Sequence, residues 1–99
     1  MRYRLTHSAR RDIQQITRYI RRVQHSPQNA RLVATRLTAQ FRKLAAMPGI
    51  GYRHPEVNDP VARVIPVTGL LVVYDPTTNP LLILRVLHPA RELGKRRIR

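Results

Sequence analysis

Tyr3 and Leu5 alternate with Arg2, Arg4 and Thr6, the pattern of a half-buried strand. From Ala9 the period changes. Ala9, Ile13, Ile16, Ile20 and Val23 recur at spacings of four and three, which makes one apolar face of a helix. Ser8 is the expected N-cap, and Asp12 falls in the first turn, where a carboxylate complements the helix dipole. Arg10, Arg11, Arg18, Arg21 and Arg22 fill much of the remaining surface, and the helix should stop near His25. Ser26-Pro27 restarts it, with serine as cap and proline at the first helical position. A second apolar stripe follows: Ala30, Val33, Ala34, Leu37, Phe41 and Leu44. The link between the helices is short enough to predict an antiparallel hairpin. Met47-Pro48-Gly49-Ile50-Gly51 ends the second helix.

Residues 51–60 read as a loop, after which the apolar pattern becomes strand-like. Val61 to Val67, Leu70 to Tyr74 and Leu81 to Leu87 are β-branched or leucine-rich runs. Thr68-Gly69 is a tight link, and residues 75–80 form a longer polar turn. Pro66 lacks an N–H donor, which confines its strand to an edge or requires a bulge. The last run is apolar at consecutive positions and belongs in the centre, covered on at least one face by the helices; Pro89 ends it. The expected fold is α+β: an N-terminal strand, a two-helix antiparallel hairpin and a three-stranded antiparallel meander, packed in two layers. One domain should span residues 1–99, with 90–99 a basic tail, disordered in the free protein or forming one helical turn.

Charge then narrows the partners. Nineteen Lys and Arg face five Asp and Glu, a formal net charge of +14 in 99 residues. Self-repulsion of that size costs stability, so an anionic partner is expected. A 42% hydrophobic content is too high for a disordered basic tail. With no cysteine, disulfides and thiolate metal sites are excluded. His7, His25, His54 and His88 are dispersed, and Asp12, Glu56, Asp59 and Asp75 fall on different elements; neither metal nor cofactor is expected. No apolar run approaches membrane-spanning length and no signal-peptide pattern opens the chain, so a cytoplasmic protein with no membrane partner is expected.

Five segments carry a resemblance: Ala9-Arg10-Arg11-Asp12-Ile13; Phe41 through Gly51; Arg63; Leu71-Val72-Val73-Tyr74; and Leu84-Arg85-Val86-Leu87-His88-Pro89-Ala90-Arg91-Glu92-Leu93. In this order the chain resembles the RelE/ParE superfamily of bacterial type II toxins, in its ParE-like branch. The last segment in that branch commonly reads valine-leucine-histidine-glycine-alanine-arginine-aspartate. Here Pro89 stands for the glycine and stiffens the strand exit, and Glu92 stands for the aspartate. The resemblance implies a growth-inhibiting toxin, of the kind associated with plasmid stabilisation and neutralised by a cognate antitoxin. ParE-like members are associated with DNA gyrase inhibition; RelE-like members cleave mRNA on the ribosome.

Three constellations could carry chemistry. Arg63, Tyr74, Arg85, His88 and Arg91 are candidates for target contact, joined by Lys95, Arg96 and Arg97 of the tail. By strand alternation Arg85 should share a face with Ile83 and Leu87. It either belongs to a polar patch that binds RNA phosphate or a protein target, or is fixed structurally, with Tyr74 and Glu92 as partners. For RNA cleavage, His88 would act as acid or base while Arg63, Arg85 and Arg91 stabilise the phosphorane. Against this, superfamily nucleases commonly place a tyrosine, or a histidine-tyrosine pair, near this terminus, and no tyrosine follows Tyr74. Arg18, Arg21 and Arg22 form the third constellation: either a solvated helix face or a surface facing an acidic, partly disordered antitoxin, or nucleic acid. Pro48-Gly49-Ile50-Gly51 lacks the lysine and strand-to-helix setting of a phosphate loop and reads as a helix stop. No catalytic residue is assigned on this basis. A non-enzymatic gyrase-directed toxin is favoured, with a ribosome-dependent mRNA endonuclease as the alternative. A plain nucleic-acid-binding module comes third, because few aromatics accompany the charge, as single-strand readers would need.

Overall fold

A computed structural model describes residues 2–99. Strand β1 (Tyr3–Leu5) leads into helices α1 (His7–Arg22) and α2 (Pro27–Ala46), then a 3-10 turn at Pro48–Ile50. Strands β2 (Arg63–Val67), β3 (Leu70–Asp75) and β4 (Leu81–Leu87) follow, and a single helical turn, α3 (Pro89–Glu92), succeeds β4. The sheet order is β1-β4-β3-β2, with β1 parallel to β4 and the other pairs antiparallel. This is the expected α+β arrangement, with β4 central and Pro66 on edge strand β2.

The N-terminal cap is Thr6, not Ser8. Its Oγ1 accepts from the Ala9 N–H at 3.0 Å and donates to the Leu84 carbonyl at 2.8 Å. Its own N–H donates to the Ile83 carbonyl at 3.1 Å, so pairing with β4 decides where the strand stops and the helix starts. Moving the cap back two residues also takes Asp12 out of the first turn and leaves it buried. Ser26 does cap α2, accepting from the Asn29 N–H at 3.2 Å, with Pro27 at the helix start.

Both sheet faces are covered. On one, Ala9 of α1 and Leu37, Phe41 and Leu44 of α2 pack against Val72, Tyr74, Ile83 and Val86. Tyr3 meets Phe41 with ring centroids 5.3 Å apart. On the other, Val64, Val73, Leu84 and Leu87 are sealed by Val57 and Ala62 from the loop and by Ile98 from the tail. The tail is therefore docked rather than disordered: Ile98 is 6% exposed. Arg99 Nε and Nη2 donate to Asp59 Oδ2 and Asp75 Oδ2, each at 2.6 Å. Of the four carboxylates expected to stand apart, Asp59 and Asp75 thus converge, because one guanidinium draws the loop and the end of β3 together.

The clasp carries a pH signature. The Arg99 hydrogen bond is the main cause holding Asp59 below the usual aspartate range, against burial; backbone donors from Val61 and Ala62 add to it. For Asp75, burial pushes upward, but hydrogen bonds from Thr77 and Arg99 outweigh it and the net shift is down. Depressed carboxylates stabilise the fold fully above their unfolded pKa, about 3.9, and lose that contribution as pH falls through the lower folded values. Melting temperature should fall more steeply below about pH 4 in the natural chain than in Arg99→Gln. Parallel pH profiles would show that the clasp carries none of this dependence.

Candidate functional site

Helices α1 and α2 and the Leu70 end of the sheet border a groove of about 700 Å³. Ile16, Tyr19 and Ile20 come from α1, Leu32, Val33 and Arg36 from α2, and Thr68, Gly69 and Leu70 from the β2–β3 turn. Val86, His88, Arg91, Glu92 and Arg96 complete it from β4, α3 and the tail. Tyr19 and Leu32 are 46% and 45% exposed, which is unusual for large apolar side chains and gives the groove an unfilled apolar wall. Arg36, Arg91 and Arg96 add cations. The site is apolar in its wall and basic overall.

One side of the groove is held by a buried ion pair. Arg85 Nε and Nη2 donate to the two oxygens of Asp12, both at 2.8 Å, and the Val86 N–H donates to Asp12 Oδ2 at 3.0 Å. Arg85 Nη1 reaches the Arg97 carbonyl of the tail. The hydrogen bonds to Asp12 first, then the charges of Asp12 and Glu92, hold Arg85 above its ordinary pKa despite burial, so its charge is permanent. Asp12, rather than Tyr74 or Glu92, is the partner. The cause is a β-bulge: Val73 pairs with Arg85 but Tyr74 with Ile83, leaving Leu84 as an extra residue. Side-chain phase shifts there, so Ile83 and Val86 face the helices while Leu84 and Leu87 face away. The expected alternation holds between Arg85 and Leu87, whose partners Val73 and Leu71 share a face, but breaks between Arg85 and Ile83. Glu92 serves elsewhere: it accepts from the His88 N–H at 2.8 Å and pairs with Arg96 at 3.2 Å, which sets the strand exit.

Arg63 and Tyr74 lie at the other end of the sheet, paired across β2 and β3. Tyr74 is fully buried; its hydroxyl donates to the Pro48 carbonyl at 2.6 Å and accepts from the Gly51 N–H at 2.9 Å. Burial pushes this hydroxyl above its ordinary pKa, against the Gly51 N–H and the Arg63 charge, so it stays a donor at neutral pH. Arg63 donates to the Gly51 carbonyl at 2.9 Å. A Cβ on Gly51 would come within 2.8 Å of the Val64 carbonyl and closer still to Tyr74, so only glycine fits this knot. His88 follows Leu87, whose row runs through Leu71 to Pro66, three residues from Arg63 on β2. That is roughly 10 Å along the strands.

The sequence candidates therefore separate. His88, Arg91 and Arg96 meet at the groove. Lys95 and Arg97 are exposed on the tail beside it, and Arg18, Arg21 and Arg22 are exposed on α1 outside it. Arg63, Tyr74 and Arg85 are bound into the scaffold. The groove's apolar wall was missed, because Ile16, Ile20 and Val33 carry the periodicity of core positions; the exposed Tyr19 and Leu32 off the stripe were its only signal. Among the described residues no group of three or more His, Cys, Asp or Glu is placed to hold a metal ion. Among the described residues no helix is long and apolar enough to cross a membrane.

A four-stranded sheet carrying a helical hairpin is a fold that has a counterpart among solved structures. A chain from a structure described as the chromosomal ParDE TA system from P. aeruginosa superposes with a TM-score of 0.68 at 19% identity, covering 88% of this chain and 94% of that one. The sequence profile of the ParE toxin of the type II toxin-antitoxin system parDE matches residues 3–93, and the chain belongs to that family of toxins. No curated protein matches the sequence.

Proposed function

We propose that this protein is a cytoplasmic toxin that acts by binding, with DNA gyrase as its target, and that a cognate antitoxin silences it. The observation that carries the binding reading is the fate of the residues a nuclease would need. Cleavage through the 2′-hydroxyl requires an acid, a base and cationic stabilisation converging within hydrogen-bond reach of one phosphate. Arg85 is spent on Asp12, and Tyr74 and Arg63 are tied to the Gly51 turn. That leaves His88, Arg91 and the α1 residue Tyr19 at the groove, with Asp12 bound to Arg85 and Glu92 occupied by the His88 N–H and Arg96, so the cations Arg63 and Arg85 are not free to stabilise a phosphate there. A groove with an apolar wall and cations suits an acidic amphipathic segment that is partly disordered alone and folds on docking. In this reading that segment is the antitoxin's.

Induced expression with two readouts tests the proposal: supercoiling and DNA breaks for gyrase, and mRNA cleavage on translating ribosomes. His88→Gln keeps hydrogen-bonding capacity and removes the titrating group. Its toxicity should stay within roughly threefold, equivalent to about 0.7 kcal/mol of binding. Arg91→Ala should reduce it more. With folding confirmed by circular dichroism, a hundredfold loss in His88→Gln, paralleled by loss of ribosomal mRNA cleavage, would replace this reading with the endonuclease.

A further inference from the structure

The helical hairpin has a second surface, on the side away from both sheet and groove. Across residues 7–46 there are nine Arg and Lys and one carboxylate, Asp12. Asp12 is buried and bound to Arg85, whereas all nine cations are exposed, eight of them outside the groove that Arg36 lines. Among the described residues, none of the nine has a carboxylate within ion-pair distance. Four of the five acids in the chain are used inside the fold, on Arg85, Arg96 and Arg99. The hairpin's charge is therefore not offset locally and projects outward. It is also ordered. At 3.6 residues per turn, Arg11, Arg18 and Arg22 fall within an arc of about 40° and span about 16 Å of the α1 axis. His7 accepts a hydrogen bond from Arg11 at 3.2 Å, which steadies one end of the row.

We propose that this outer face, with the Arg11–Arg18–Arg22 row at its centre, docks the phosphate backbone of duplex DNA. The chemistry of the row favours that occupant over others. Guanidinium forks match phosphate oxygens, and the Arg row carries no apolar anchor of the kind a protein partner's central contacts require. The exposed aromatic of α1, Tyr19, belongs to the groove, so the row offers no stacking platform for single-stranded bases. An acidic amphipathic helix is better served by the groove, where an apolar wall and cations coincide. Arginines without base-reading geometry predict backbone contact without sequence preference. The choice of DNA rests on the target reading above: a toxin engaging gyrase meets duplex DNA held by that enzyme, and the outer face stays free while the groove is filled.

The test uses the full chain and a labelled 20-base-pair duplex of mixed sequence, with anisotropy measured across a salt series and no gyrase present. Each phosphate contact contributes about 0.9 to the slope of log affinity against log salt. The triple variant Arg11→Gln, Arg18→Gln, Arg22→Gln should flatten that slope by about 2.7 and weaken binding at least tenfold at 0.1 M salt, with an unchanged melting curve. Arg2→Gln with Arg4→Gln, just before and within edge strand β1, should change the slope by less than one. An unchanged slope in the triple variant, an equal loss in the edge-strand variant, or displacement of the duplex by polyglutamate at equal charge would each overturn the proposal. Gyrase failing as a target leaves the isotherm in place, and loss of duplex binding leaves gyrase inhibition to be read separately, so the two failures are distinguishable.

Discussion

Asp12→Ala should cost about 3–5 kcal/mol of stability, the effect of removing one partner from a buried ion pair. Arg85 is 13% exposed and Asp12 7%, so water cannot take over the lost role of the carboxylate. Three donors lose their acceptor at once: two guanidinium nitrogens and the Val86 N–H. Domains of this size are stable by about 5–15 kcal/mol, so the variant should lie near the limit of folding. The double variant Asp12→Leu, Arg85→Met separates the causes. Replacing both charges by apolar groups removes the unpaired cation, and the remaining deficit should be about 1–3 kcal/mol from the orphaned Val86 N–H. Denaturant titration of both variants checks the pair of numbers. A single variant within 1 kcal/mol of the natural chain would mean that the ion pair contributes little net stability.

Phe41→Ala should be as severe, by a different route. The ring is 2% exposed and lies in the cluster that joins α2, β1 and the sheet, beside Tyr3. Deleting it removes buried apolar area and leaves a cavity, at a cost of about 3–5 kcal/mol. At about 4–8 °C per kcal/mol, the melting temperature should drop by at least about 12 °C. Leu37→Ala, 1% exposed one turn earlier, should cost about 2–5 kcal/mol. Native-like melting of both would contradict the packing assigned to α2.

How far the sequence foretold this structure depended on how local each cause was. Ser26-Pro27 and the stripe through Leu37, Phe41 and Leu44 act within α2, and that helix was legible in full. Pro66 carries its own signal, a missing donor, and it does lie on an edge. Failures came where a remote partner decides. Thr6 caps α1 because β4 holds it, 78 residues away at Leu84. Asp12 finds Arg85 across 73 residues, beyond a bulge that strand alternation does not encode. The tail looked disordered because its composition is basic, yet one apolar residue, Ile98, and two distant carboxylates dock it. At the candidate groove, His88, Arg91 and Arg96 are among the residues the sequence singled out by type and resemblance. That Arg63 and Tyr74 belong to a different end of the sheet followed only from the strand register.

The parallel pairing of β1 with β4 sets a schedule for synthesis. Tyr3 and Leu5 find their partners in Leu81 and Ile83, so the first strand made stays unpaired until the last strand has left the ribosome. The groove obeys the same timing, since its walls run from Asp12 to Arg96. A nascent chain that stalls before β4 has a helical hairpin but neither a closed sheet nor a complete groove, and any activity that depends on the groove begins only once β4 and the residues through Arg96 have been made.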